Sequence, residues 1–261
     1  QVVNALESKF SHLRTSNVVN LARLAEQNFR RGVNVVKVYE QGILYFLADN
    51  EEGYVERDTI TLVAGGRWYE NEWKKAPGLE QVMRHVQGVL VSLFGALGNT
   101  LEFIPSKSEY LHPGKQAACK VGRTTCGVCG VIHPKILEAV DCREQLVYVE
   151  LDCASLQKCR TERRYRAPSD FPSIQRDVTL VVKADEFASH ISKKIEALKP
   201  ADLHWVKVVD DFQRDGEDIR RTTFRLEFQS QSRTLEHSEV DRSMASILDA
   251  LKGKHSIVLA E

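Results

Sequence analysis

Six cysteines, at positions 119, 126, 129, 142, 153 and 159, and two His-Pro pairs, His112-Pro113 and His133-Pro134, are the side chains whose types and spacing first suggest chemistry. Cys126-Gly127-Val128-Cys129 has the two-residue gap of a zinc or redox pair. A metal site needs two further ligands, and Cys119 or Cys142 with His133 or His112 are the candidates. Residues 124–132 read as a strand, however, and positions three apart on a strand point to opposite faces, which argues against a shared ion. The thiols are therefore expected to be small buried side chains in a reducing cytoplasm. The His-Pro pairs are expected to be turns with satisfied imidazoles. Arg14 and Glu40 read as an ion pair, within one module or at a subunit interface. The chain shows no Gly-rich phosphate loop and no Ser-His-Asp or paired-carboxylate arrangement that spacing alone would assemble, so no catalytic or metal-binding residue is assigned.

Something must position these side chains, and composition bounds what that is. With 43% hydrophobic residues in 261, the chain can build real cores and is not disordered. Lys+Arg 36 balance Asp+Glu 36, so a nucleic-acid partner has to be met by a local patch, and DNA is not expected as a partner. The longest weakly polar run, 86–98, is too short to span a bilayer, so no membrane association is expected either. The chain opens at Gln1 without a leader, which reads as a fragment or a processed chain.

Val18, Leu21, Ala25 and Phe29 keep helical spacing behind a cap at Thr15 or Ser16 and stop at Arg30-Arg31-Gly32. Strands are expected at 35–40 and 43–48, flanking Gln41-Gly42, and at 58–64. A second long helix follows from the three-and-four recurrence of Leu79, Val82, Met83, Val86, Leu90, Leu93, Phe94 and Leu97, ended by Gly98-Asn99. Short strands at 101–104, 117–121, 124–132 and 146–152 complete an α+β module over 1–157. Residues 158–169 have no apolar period and carry five cationic side chains, Lys158, Arg160, Arg163, Arg164 and Arg166, as a solvated linker would. Residues 170–261 read as strand 174–182, helix 186–198, strand 203–212, strand 221–229, helix 236–251 and strand 255–259. That β-α-β-β-α-β order is ferredoxin-like, with helices on one side of the sheet and the other side open.

The residues go further than the order of elements. Phe171-Pro172-Ser173-Ile174-Gln175-Arg176-Asp177-Val178, then Phe224-Arg225-Leu226-Glu227-Phe228, Arg233-Thr234-Leu235 and Glu239-Val240-Asp241, closely resemble the ferredoxin-fold anticodon-binding domain of the bacterial phenylalanyl-tRNA synthetase β-subunit family. Asn4, Leu13-Arg14-Thr15-Ser16, Asn28-Phe29-Arg30-Arg31-Gly32, Tyr39-Glu40-Gln41-Gly42, His112-Pro113-Gly114-Lys115-Gln116-Ala117 and Gly130-Val131-Ile132-His133-Pro134 stand in the order of that family's catalytic-like module. Two stretches depart from the family pattern: Asn17-Val18-Val19-Asn20-Leu21-Ala22 lacks the usual Pro and Gly, and Ala76-Pro77-Gly78-Leu79-Glu80 replaces a Phe-Phe-Asp-Leu-Lys-Gly-like run. The resemblance implies a class II synthetase-like antiparallel sheet module without an active site, followed by the ferredoxin-like domain. It implies a cytoplasmic αβ holoenzyme in which the α subunit holds ATP, Mg²⁺ and phenylalanine, and this chain, as the C-terminal portion of β, binds tRNA(Phe).

An anticodon reader needs a planar side chain for a splayed base and hydrogen-bonding groups for its edge. Lys207-Val208-Val209-Asp210-Asp211-Phe212-Gln213 matches the family segment in which an acidic residue bonds the first anticodon base, a guanine, and an aromatic stacks on it. Those roles fall on Asp210 and Phe212, which, two residues apart on a strand, share a face. Arg221 stands where the family usually has serine, and its guanidinium suits stacking or phosphate. Residues 168–261 carry 14 Lys+Arg and 17 Asp+Glu, a formal charge of −3, so RNA anchored elsewhere on the holoenzyme is expected. Two other readings compete: a free-standing RNA- or protein-binding paralogue without an aminoacylation role, and a metal or redox protein built on Cys126 and Cys129.

Overall fold

Val18, Leu21, Ala22 and Ala25 fall on one side of a helix, α1 (Val18–Arg30), and are buried there against a sheet. The structure, a computed structural model, describes residues 12–49, 53–67, 78–162, 167–214, 216–255 and 258–259. The chain divides into two units, Gln1–Arg164 and Tyr165–Glu261. Helix α1 begins after Asn17, one or two residues past the expected cap, and Asn17 makes no side-chain cap. Its amide instead donates to Thr61 Oγ1 at 2.9 Å, while Ser16 Oγ accepts from Val18 N at 3.3 Å. Gly32, at φ 82°, supplies the left-handed residue that ends the helix.

The first unit is built on a six-stranded antiparallel sheet in the order β1-β2-β6-β5-β4-β3. Its strands are β1 (Val35–Leu47), β2 (Tyr54–Gly66), β3 (Glu102–Pro105), β4 (Leu111–Val121), β5 (Thr124–Ile132) and β6 (Leu146–Asp152). Helix α2 (Leu79–Ala96) buries Val82, Val86, Leu90 and Phe94 on one side of it. Helix α1 and the short α3 (Pro134–Ala139) pack on the other. A second short helix, α4 (Cys153–Cys159), follows β6.

Gln41-Gly42 does not separate two strands. Residues 35–47 run as one strand paired along its length with β2, from Val35↔Gly66 to Leu47↔Tyr54. Glycine at 42 leaves room for the Arg14 guanidinium, which lies where a Cβ would project. Arg14 crosses the strand there, donating to Ile43 O at 3.1 Å and to Glu40 Oε1 at 2.6 Å. The two short helices have no counterpart among the sequence expectations, and Lys158 and Cys159, assigned above to the linker, close α4. Arg163, Arg164 and Arg166 of that stretch, and Asn4, lie outside the described residues.

The second unit has the sheet order β10-β7-β9-β8, with β7 (Ile174–Lys183), β8 (Leu203–Phe212), β9 (Ile219–Phe228) and β10 (Val258–Leu259). This is the ferredoxin-like arrangement, and the fold is α+β in both units. Helices α5 (Ala188–Ala197) and α6 (His237–His255) sit on one side. Ile191, Ile195, Val240, Ile247 and Leu251 enclose Val178, Leu180, Phe224, Leu226 and Phe228 there. Each fully buried aromatic or branched side chain contributes on the order of 1.5–3 kcal/mol. Thr222, Phe224, Leu226 and Phe228 point to the helices, so Arg221, Thr223, Arg225 and Glu227 between them point to the open side.

Candidate nucleic-acid interface

Cross-strand partners share a side of the sheet, and the register therefore places every residue of the edge strand β8. Val206 pairs with Leu226 and Val208 with Phe224, which turns both toward the helices. Regular alternation onward from Val208 would turn Asp210 and Phe212 inward as well. The pairing instead slips between Val208 and Asp210: Val209 is an extra, bulged residue, and Asp210 faces Thr223 while Phe212 faces Arg221. Asp210, Phe212 and Arg221 thus stand together on the open side.

The bulge also separates the fates of two adjacent acids. Asp211, opposite Thr222 on the helix side, accepts from Thr222 Oγ1 at 2.5 Å and from Arg220 Nη1 at 3.2 Å. Asp210 makes no hydrogen bond or ion pair among the described residues, so its carboxylate is available to an outside donor. Phe212 is 52% exposed. Arg221 is held by Glu217 at 3.3 Å. Inward of Asp210, Thr223 and Thr179 share a hydrogen bond at 2.9 Å, making a row Asp210–Thr223–Thr179 across β8, β9 and β7. The two threonines escaped the sequence reading; their signal is their alternation with the core residues Val178, Leu180 and Phe224. Lys207 lies over the Trp205 ring, 4.3 Å from its centroid, on the same side. Arg225 and Asp177 form a bidentate pair at 2.7 Å that draws the carboxyl below its usual range.

In the first unit, the His112 and His133 imidazoles both accept backbone protons, from Gly114 N at 3.1 Å and Lys135 N at 3.2 Å. His133 caps α3, whereas His112-Pro113-Gly114 is an irregular stretch within β4 and no turn between elements. Arg14 and Glu40 form an ion pair within the unit. Burial works to raise the Glu40 carboxyl, but contacts with Asn17 and Arg14 prevail and hold it low.

Cys126 and Cys129 do not point to opposite faces. The β4–β5 register passes from Lys120↔Thr125 to Cys119↔Gly127, so Cys126 is bulged, and both thiols enter the core beneath α2 with Cys119 and Cys159. Among the described residues no group of three or more His, Cys, Asp and Glu side chains is gathered to hold a metal ion.

A cavity of about 560 Å³ opens on the α1 side of this sheet beside Phe46, Arg57, Glu150 and Asp152. Its residues do not suit a nucleotide with Mg²⁺. Glu150 and Asp152 face it against the single lining cation Arg57, and the two carboxylates repel polyphosphate; Glu56 and Asp58, paired with Tyr45 and Ile43, turn to the other side of the sheet. Glu150 already accepts from Tyr148 at 2.6 Å, Ser16 at 3.0 Å and Tyr110 at 3.2 Å, and Asp152 caps α4 through Ser155 N. Burial, reinforced by Glu150, pushes both tyrosine hydroxyls well above their usual range.

The second unit is thus a ferredoxin-like sheet with an unpaired acid and an exposed ring on its open side. Residues 169–259 match the family model of the ferredoxin-fold anticodon binding domain, and residues 1–153 match that of the phenylalanyl tRNA synthetase beta chain CLM domain. The chain belongs to the phenylalanyl-tRNA synthetase β-chain family. It is 26% identical over 259 residues to the phenylalanine–tRNA ligase beta subunit of Listeria monocytogenes, covering 97% of this chain and 32% of that protein. Against the corresponding subunit of Bacillus subtilis it is 28% identical over 255 residues, covering 95% and 31%. The chain thus spans roughly a third of the length of these relatives. A crystal structure of pyrrolysyl-tRNA synthetase from Desulfitobacterium hafniense aligns at 14% identity with a TM-score of 0.43, covering 56% of this chain and 49% of that one. No helix among the described residues is long and apolar enough to cross a membrane.

Proposed function

We propose that this chain serves as a non-catalytic portion of a cytoplasmic phenylalanine–tRNA ligase β subunit, assembling with a catalytic α subunit and reading the anticodon of tRNA(Phe) during ATP-dependent aminoacylation. ATP, Mg²⁺ and phenylalanine belong to the α subunit in this reading. The observation that carries it is the Val209 bulge, which sets an uncommitted carboxylate and a half-exposed ring two residues apart on the open side of a domain matched to anticodon binders.

The chemistry follows from donor and acceptor placement. Guanine presents N1–H and N2–H₂ on one edge, and Asp210 accepts from both; adenine offers no such pair. Phe212 stacks on the same base, worth about 1–3 kcal/mol. Arg221, opposite Phe212, exchanges Glu217 for a phosphate of the splayed nucleotide. Because residues 168–261 carry a charge of −3, this contact selects and positions RNA that other parts of the holoenzyme hold. Phe212→Ala should lower aminoacylation of tRNA(Phe) by a reconstituted complex about 5- to 150-fold while leaving phenylalanyl-adenylate formation intact. Equal loss of both steps would remove the assigned role.

A further inference from the structure

The sulfurs of Cys126 and Cys159 lie 3.5 Å apart. The β5 bulge brings them together, since a regular strand would carry Cys126 to the other side of the sheet. Cys159 approaches from α4, whose last residue it is, and that end of the helix is anchored. Asn99 Nδ2 donates to Cys159 O, and Thr161 N donates to Leu97 O at 3.0 Å, so the thiol is held beside its partner. The two residues differ slightly in exposure. Cys126 is fully buried, and burial together with its contact to Cys159 pushes its thiol up to about 12; Cys159 keeps 8% of its surface. Cys159 is therefore the residue of the pair nearer the surface. Cys119 and Cys129 form another hydrogen-bonded thiol pair in the same core, but both are fully buried.

We propose that Cys126 and Cys159 are an oxidative modification site at which a hydroperoxide closes an intramolecular disulfide between β5 and α4. The Cys159 sulfur attacks a peroxide oxygen; the O–O bond breaks, one water leaves and the sulfur becomes a sulfenic acid. The Cys126 sulfur then attacks the Cys159 sulfur, forming the S–S bond, and the displaced hydroxyl departs with the Cys126 proton as a second water. Hydrogen peroxide is reduced by two electrons, and the two thiols are oxidised by two. Reaching bonding distance requires the sulfurs to close by about 1.5 Å, a rotamer-scale movement. The product staples the end of α4 to the middle of the sheet at the point where the chain leaves the first unit. It is reversible by a dithiol.

The test is peptide mapping of the full chain after hydrogen peroxide treatment and alkylation, without reduction. The expected result is loss of two of the six thiols, a Cys126–Cys159 cross-linked peptide, and recovery of all six with dithiothreitol. Cys126→Ser and Cys159→Ser should each abolish the cross-link, whereas Cys119→Ser and Cys153→Ser should retain it. The wild-type map stands without any variant. A Cys119–Cys129 bridge, oxidation confined to the more exposed Cys153, or six unchanged thiols would each overturn the assignment.

Discussion

Asp210 and Asp211 are adjacent, alike in chemistry and on opposite sides of the sheet, so substituting each by alanine tests the proposed recognition role apart from folding. Asp211 holds Thr222 and Arg220, and Arg220 is only 17% exposed, with its Nε lacking a described partner. Removing that carboxylate leaves a largely buried guanidinium held, among the described residues, through Glu186 O alone. The full cost of a broken buried pair is discounted because the Asp211 side chain is 41% exposed, leaving about 1–2 kcal/mol of stability. Asp210 supports nothing in the described structure, so Asp210→Ala should change stability by less than about 0.5 kcal/mol. It should nevertheless cost recognition a charge-assisted hydrogen bond, about 1.5–3 kcal/mol, or roughly 10- to 150-fold in tRNA(Phe) affinity of the reconstituted complex. Urea unfolding midpoints measure the first effect, and aminoacylation at limiting tRNA measures the second. If Asp210→Ala lowers the midpoint as far as Asp211→Ala, or if only Asp211→Ala impairs tRNA use, the bulge does not divide the two acids and the assignment fails.

Two further outcomes follow from close packing and charge. A Cβ on Gly127 would fall on the Glu150 carbonyl, which cannot move without breaking the β5–β6 ladder, so Gly127→Ala should cost about 3 kcal/mol or more; a urea midpoint near wild type would contradict that packing. Glu239 accepts from both Arg233 nitrogens and from Glu236 N, and the guanidinium hydrogen bond above all lowers its carboxyl from an ordinary 4.5 to about 2. A folded value below the unfolded one means the contact stabilises fully above about pH 4.5 and is lost as pH falls through about 2. The Glu239 carboxyl carbon should titrate near 2 by NMR and return toward 4.5 in Arg233→Gln; an unshifted midpoint in that variant would exclude the pair as the cause.

The helices α1 and α2 and the order of the second unit were readable because they rest on periodicity, which is local. Val82, Val86, Leu90 and Phe94 recur at helical spacing and are buried as that spacing requires. Alternation in strands failed as a guide wherever a neighbour changed the count. Nothing in Thr125-Cys126-Gly127 or Val208-Val209-Asp210 declares an extra residue; each bulge exists only through its partner strand. Gly42 misled for a related reason, because glycine commonly marks a turn, while here it clears room for Arg14, a residue 28 positions earlier. The short α3 and α4 are each one or two turns long, with too few positions to show a helical period. Asp210 and Phe212 could be matched to a family segment, but their side of the sheet could not be read from spacing alone.

β8 ends its sheet with one long flank unpaired, and such a flank is ordinarily a template on which another polypeptide can zip itself into fibrils. Its register slips twice, at His204 and at Val209, and each slip breaks the straight run of amide and carbonyl groups that an incoming strand would need. Lys207, Asp210 and Asp211 place charge along the same rim. The bulge that turns Asp210 and Phe212 to the open side also interrupts this edge, so straightening β8 by deleting Val209 should raise the protein's propensity to form thioflavin-positive aggregates.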